Sequence, residues 1–240
     1  MGTTKVLASV TGEIVEPTND RPNEGQIMFN VDFSPMASPY FDSSRPSPKS
    51  VEIARLVERC VKDAGAVDTE TLCIVAGQRV WMLRVDVRVL NYDGNMTDCC
   101  ALAAVAALVY YRRPDITVTS HGVTIHSEEE KDFIPIQLNF WPISNTYAYF
   151  TEPDEAVVDP SLSEDLTCDS HITIAMNAQK EVCCIQKPGG SAVSHDIVMG
   201  CVMRASQRTK GLVELLKKEY EAKVKSKAHK HGLEDKLQRK

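Results

Sequence analysis

The chain has 240 residues, 43% of them hydrophobic and 25% charged, with a formal net charge of −6. This balance supports a buried core, excludes a fibrous or disordered chain, and leaves no apolar run of about eighteen residues for a membrane helix. The charge is uneven: from Arg204 onward twelve Lys or Arg meet five Asp or Glu, a balance of +7 that leaves −13 for an acidic body ill suited to gripping long nucleic acid alone.

In chain order, residues 1–15 lack the basic start and long apolar core of a secretory signal. Residues 5–16 and 26–33 alternate apolar with polar around a turn at 20–25 and read as neighbouring antiparallel strands. A Pro- and Ser-rich surface loop follows over 34–49, with Arg45 and Lys49 as its only cations. Residues 50–61 carry Val51, Ile53, Ala54, Val57, Cys60 and Val61 at helical spacing, with Ser50 as the expected cap. Two strands are expected at 72–75 and 80–90.

The stretch 84–114 then combines a period-two strand, a turn with Gly at 94, and an Ala-rich helix that is apolar nearly all round and ends at Pro114. Thr97 or Asp98 is the expected cap. Such a unit aims backbone N–H groups at one spot, the usual way a fold holds a phosphate. Equally, it can be an ordinary buried strand–turn–helix unit.

Beyond it, 116–118 and 123–125 flank a turn, a charged turn covers 127–132, and 134–140 and 145–150 read as strands around Pro142. Short strands at 156–158, 172–177 and 181–186 follow, the last two as a hairpin. Residues 195–227 form a long amphipathic helix, and 226–240 a polar, basic tail that is expected to fray. The order of elements predicts an α+β class with mixed sheets packed on helices, in one domain over 1–225. Eight cysteines without a C-x-x-C pair point to buried reduced thiols rather than a zinc site. Trp81 and Trp141 lie in strand patterns and read as core or interface residues.

Several motifs resemble the RNase PH family, and more closely the RNase PH-like ring subunits of the eukaryotic RNA exosome. They are R-P-N-E-G (21–25), V-E-I-A-R-L-V-E-R (51–59), D-T-E-T-L-C-I-V-A-G (68–77), V-L-N-Y-D-G-N (89–95), Y-R-R-P (111–114), V-V-D-P (157–160), I-A-M-N (174–177) and I-Q-K-P-G-G (185–190). They run in order over most of the chain. The resemblance implies a fold like domain 2 of ribosomal protein S5 and a six-membered ring with related subunits. It also implies RNA and S1/KH cap subunits as further partners, with no membrane and no cofactor. The function implied is a non-catalytic scaffold and RNA-channel wall for 3′-to-5′ processing and degradation (rRNA maturation, mRNA decay) in nucleus, nucleolus and cytoplasm. The alternative is an active phosphate-dependent 3′-to-5′ exoribonuclease with a composite site. The resemblance also implies further N-terminal strands not found here, so the sequence is expected to be truncated or its gene start to be placed late, and the first sheet is expected to gain an unpaired edge.

Active RNase PH enzymes hold inorganic phosphate through a Gly-Thr-Arg or Gly-Ser-Arg triplet at the head of the central helix. Here Asn95, Met96 and Thr97 stand there, with Thr97 in place of the arginine. Losing a guanidinium removes hydrogen bonds of about 1.5–3 kcal/mol each, and Asp98 is expected to add negative charge at the same spot. The resemblance also implies two carboxylates six apart, matched by Asp159 and Asp165. They can coordinate Mg²⁺ or simply be solvated or capping groups in a loop, and no metal is expected. Arg45 and Lys49 fall where active members present basic residues to RNA. Arg112 and Arg113 either serve the helix dipole or contact RNA. Since the phosphate-binding arginine is replaced by Thr97, no catalytic residue is expected, and any nuclease activity would belong to another subunit.

Overall fold

The computed structural model describes residues 2–41, 47–119, 122–127 and 130–238. Its longest strand, β4 (Arg79–Asn91), turns Leu83, Val85, Val87 and Val89 inward and pairs on both edges. β1 (Lys5–Val15) runs antiparallel along one edge and β2 (Gln26–Phe33) parallel along the other. The expected β1–β2 pairing is therefore wrong: β4 inserts between them. The turn at residues 20–25 reports a change of direction and not which strands become neighbours. β3 (Cys73–Val75) adds a short antiparallel piece at the start of β4.

Helices α1 (Pro48–Glu58) and α2 (Met96–Tyr110) close the inner face of this sheet, and Trp81, 2% exposed, sits in the core they form. Ser47 rather than Ser50 caps α1. Its side chain accepts from Ser50 N at 3.1 Å, because Pro48 occupies the first helical position, where a missing N–H costs nothing. A π-turn, Arg59–Asp63, continues α1. Past α2, β5 (Arg112–Arg113) pairs with β8 (Ile134–Pro135), and β6 (Ile116–Thr119) forms a hairpin with β7 (Gly122–Ile125). The strand expected over 134–140 shrinks to two residues, since Pro135 cannot donate to a ladder.

The second sheet has the order β10-β9-β11-β12. Its strands are β9 (Ile143–Phe150), β10 (Glu155–Val158), β11 (Ser170–Met176) and β12 (Val182–Gln186). A short helix, α3 (Leu162–Thr167), precedes β11 where a loop was expected. It begins with a capping box in which Ser161 and Glu164 satisfy each other's backbone N–H groups. α4 (His195–Gln238) packs Cys201 and Ala205 against Tyr147, Ile172 and Ile174. It continues past residue 227 to Gln238. Its second half leans on the first sheet's helix layer, with Tyr220 5.5 Å from the Tyr110 ring and Lys217 5.9 Å over Trp141. Because α2 touches β1, β4 and β9, it is buried from both sheets, which is why it is apolar nearly all round. Among the described residues no helix is long and apolar enough to cross a membrane.

Candidate functional site

The head of α2 opens into a cleft of about 50 Å³ between α1, α2 and the second sheet. Asn95 is the N-cap, in left-handed backbone at φ 44°, a conformation asparagine tolerates through its short side chain. It displaces Thr97 and Asp98, the expected caps, because the turn at Gly94 brings Asn95 Oδ1 to within 3.4 Å of Asp98 N. The Asn95 amide also donates to Asp98 at 3.0 Å and to Asp159 at 2.6 Å.

Asp98 is 1% exposed and does not face the cleft, a second correction. Its carboxylate accepts from Thr146 N and Thr146 Oγ1, both at 2.8 Å, and so fastens α2 to β9. Met96 is buried at 2% exposure, leaving Thr97 as the half-exposed side chain of residues 95–97.

Opposite this helix head lies Asp165. It sits on α3 rather than in a loop, and its side chain is 5% exposed. It accepts from Tyr92 Oη at 2.6 Å and Lys49 Nζ at 3.2 Å, and His171 Nε2 stands 3.5 Å away. Lys49 lies in the first turn of α1, outside the loop where the sequence placed it, and its charge is taken up by Asp165. Arg45 lies outside the described residues. Burial first, then the Asp165 hydrogen bond, pushes Tyr92 well above the ordinary phenol range, so it stays a neutral donor.

Asp159 is not part of the same cluster. It takes left-handed backbone at φ 59°, binds the Asn95 amide, and meets Arg208 at 3.2 Å. Burial opposes ionisation there, yet the Asn95 hydrogen bond and Arg208 outweigh it and hold the carboxyl below its usual range. The two carboxylates six apart thus end in separate networks, and among the described residues no group of three His, Cys, Asp or Glu is arranged to hold a metal ion. Arg112 and Arg113 are remote from the cleft. They follow the far end of a fifteen-residue helix, about 22 Å away, and Arg113 donates to Thr71 O at 3.1 Å.

Sequence reasoning missed Tyr92, Glu52, His171 and Gln186, which line or brace the cleft. Only the S-x-x-E capping box before Asp165 was a readable signal. Of the charged residues lining the cleft, Glu52 and Asp165 are acidic and Lys49 is basic, and Lys49 is paired with Asp165 at 3.2 Å.

Residues 1–114 match domain 1 of the 3′ exoribonuclease family and residues 141–208 match its domain 2, in that order. The rrp45 exosome component of Schizosaccharomyces pombe is 37% identical over 204 residues, covering 85% of this chain and 70% of that protein. The chain belongs to the RNase PH family of 3′ exoribonucleases. Exosome complex component RRP45 of Danio rerio is 39% identical over 239 residues, 99% of this chain but 61% of that protein. The chain therefore spans about three fifths of that relative. Among solved structures, an Archaeoglobus fulgidus exosome with RNA bound to the active site superposes with a TM-score of 0.78 at 29% identity, covering 89% of this chain and 80% of that one. An archaeal exosome core gives 0.75 at 27% identity, over 90% and 78%. The α+β RNase PH fold read from the motifs is the fold observed.

One consequence for this RNase PH cleft is a pH response. Burial is the larger influence on His171 and lowers its proton affinity, Asp165 opposes it, and Lys49 adds to it. The unfolded imidazole binds its proton near the ordinary value of about 6.5, while the folded one binds it less readily. The contribution is thus fully present above the unfolded value and is lost as pH falls from there through the lower folded one. Replacing His171 with Gln should flatten the decline in unfolding free energy between pH 7.5 and 5.5, read by urea unfolding at both. An unchanged slope would show that His171 is not the group responsible.

Proposed function

We propose that this chain is a non-catalytic RNase PH-like ring subunit of an RNA exosome, forming part of the scaffold and RNA-channel wall for 3′-to-5′ processing and decay. Related RNase PH-like subunits are its ring neighbours, with S1/KH cap subunits and RNA as further partners, in nucleus, nucleolus and cytoplasm. Residues 1–225 act as the ring-forming body and 226–240 as a basic extension. One observation carries the reading: the helix head that faces the cleft offers Thr97 and no guanidinium, while the cleft's Lys49 is already held by Asp165 at 3.2 Å. Phosphorolysis needs an attacking phosphate seated by charge-assisted hydrogen bonds, and the lysine lining this cleft is already engaged by Asp165. On this reading Lys49, Arg45, Arg112 and Arg113 contact RNA, if at all, as backbone-tracking cations and not as parts of a reaction centre.

The test is an assembled ring containing this chain, given RNA and inorganic phosphate, with every other phosphorolytic site disabled. The expected result is no nucleoside diphosphate. Introducing Asp165→Ala into this subunit should leave any residual turnover unchanged. Release that disappears with Asp165→Ala would instead establish the composite-site exoribonuclease.

A further inference from the structure

Between α2 and the second sheet the chain forms a two-stranded ribbon. β6 pairs only with β7 among the described residues, in an antiparallel register that sets Ile116 opposite Ile125 and Val118 opposite Val123. Side chains alternate across a ribbon, so these four β-branched residues share one face, while Thr117 and Thr124 share the other. Ile116 packs against the first sheet's core, but Val118 and Ile125 are 53% and 55% exposed. Ile134, where β8 meets β5 at the base of the ribbon, is 39% exposed.

The polar side holds the ribbon in shape. Thr117 Oγ1 and His126 Nε2 stand 2.6 Å apart, His126 N donates to Asp115 O at 3.0 Å, and Lys131 donates to Asp115 at 2.9 Å. These bonds fix the hairpin from one side and leave Val118 and Ile125 turned to solvent. A two-stranded hairpin is marginally stable in water until its apolar face is covered.

Charge narrows what covers it. Lys131 is engaged by Asp115, while Glu130 and Asp132 beside it are exposed, so the border of the ribbon is acidic. Such a border matches a protein surface edged with lysine or arginine and not the phosphates of RNA. Size narrows it further. Four side chains fall far below the roughly 1,200–2,000 Å² that a stable interface buries, so the face is an anchor within a larger contact and not a dimer interface of its own.

We propose that the face formed by Ile116, Val118, Val123 and Ile125 docks on another exosome subunit, at an apolar strip bordered by lysine or arginine. The proposal rests on the ring-subunit reading and adds to it one surface by which this chain is held in the assembly.

The experiment measures amide hydrogen exchange of the full chain, free and in an exosome assembled with its partner subunits. Amides of β6 and β7 should exchange roughly ten-fold more slowly in the assembly, because docking suppresses the local opening that exposes them. Where variant and unsubstituted chains compete for assembly, Val118→Ser with Ile125→Ser should be recovered roughly ten-fold less. Thr124→Ser, on the polar side, should compete equally. Glu130→Lys with Asp132→Lys should slow assembly and weaken its dependence on salt. The exchange measurement on the unsubstituted chain needs no variant to fold. Equal exchange of the hairpin in the two states would overturn the proposal and leave the ring reading intact. Slowing produced by RNA alone, or by a dimer of the free chain, would overturn it likewise. A chain that enters no assembly would overturn both.

Discussion

Replacing Asp98 with alanine is expected to destabilise the fold by about 3–5 kcal/mol, as for any buried, fully partnered charge network broken from one side. The carboxylate is 1% exposed and accepts from Thr146 N, Thr146 Oγ1 and the Asn95 amide. Alanine removes the acceptor of the buried Thr146 N, at a cost of about 1–3 kcal/mol, and one partner each from Thr146 Oγ1 and the Asn95 amide, which keep Thr173 and Asp159. The loss falls where α2 joins β9, so the two sheets should loosen together rather than one fraying first. Asp98→Asn keeps the shape and one acceptor and should cost less, since only part of the network is orphaned. Equilibrium urea unfolding measures both. A loss below about 1 kcal/mol for the alanine variant, within ordinary surface effects, would show that Asp98 does not join the sheets.

The second large effect is expected at Gly94, whose backbone sits at φ +95° at the mouth of the cleft. A Cβ there would lie 2.5 Å from Pro160 O and 2.5 Å from Ser161 C, both backbone atoms that cannot swing aside. Gly94→Ala therefore combines left-handed strain of about 1 kcal/mol with overpacking of about 1–3 kcal/mol. Gly77 separates the two contributions. Its φ of +72° is also left-handed, but a Cβ meets nothing within 4 Å, so Gly77→Ala should show the backbone strain alone. Because α3 starts at the atoms Gly94 touches, the Gly94 variant should also pull Asp165 away from Tyr92. Equal losses at the two glycines would show that close packing against α3 contributes nothing.

Much of the candidate site was legible because its identity is a matter of local sequence. Asp93–Gly94 announced the turn, residues 95–97 at the helix head carry no arginine, and the alternation of residues 84–90 named the strand that presents them. Other parts misled for equally physical reasons. Asp98 looked like a charge aimed at the cleft, since its position in sequence says nothing of the Thr146 groups 48 residues away that claim it. Lys49 read as a loop cation because the Pro- and Ser-rich composition continues up to it, while Pro48 in fact opens a helix. The basic end of the chain read as a frayed tail from residue 226, yet the helix runs to Gln238, and Lys217 and Lys223 tie its middle turns to Trp141 and Tyr110.

By itself the sequence determined the class of fold, the family and the absence of a guanidinium at the head of the central helix. Each of these depends on residue identity and short-range periodicity. The tertiary structure alone decided that β4 separates β1 from β2, that Asp159 and Asp165 part into different networks, and that Lys49 is neutralised by a residue 116 positions away. The physical reason is that hydrophobic period records only which face of a segment is buried, whereas strand order and ion pairing depend on which segments share that burial. That choice is made by packing across the whole chain.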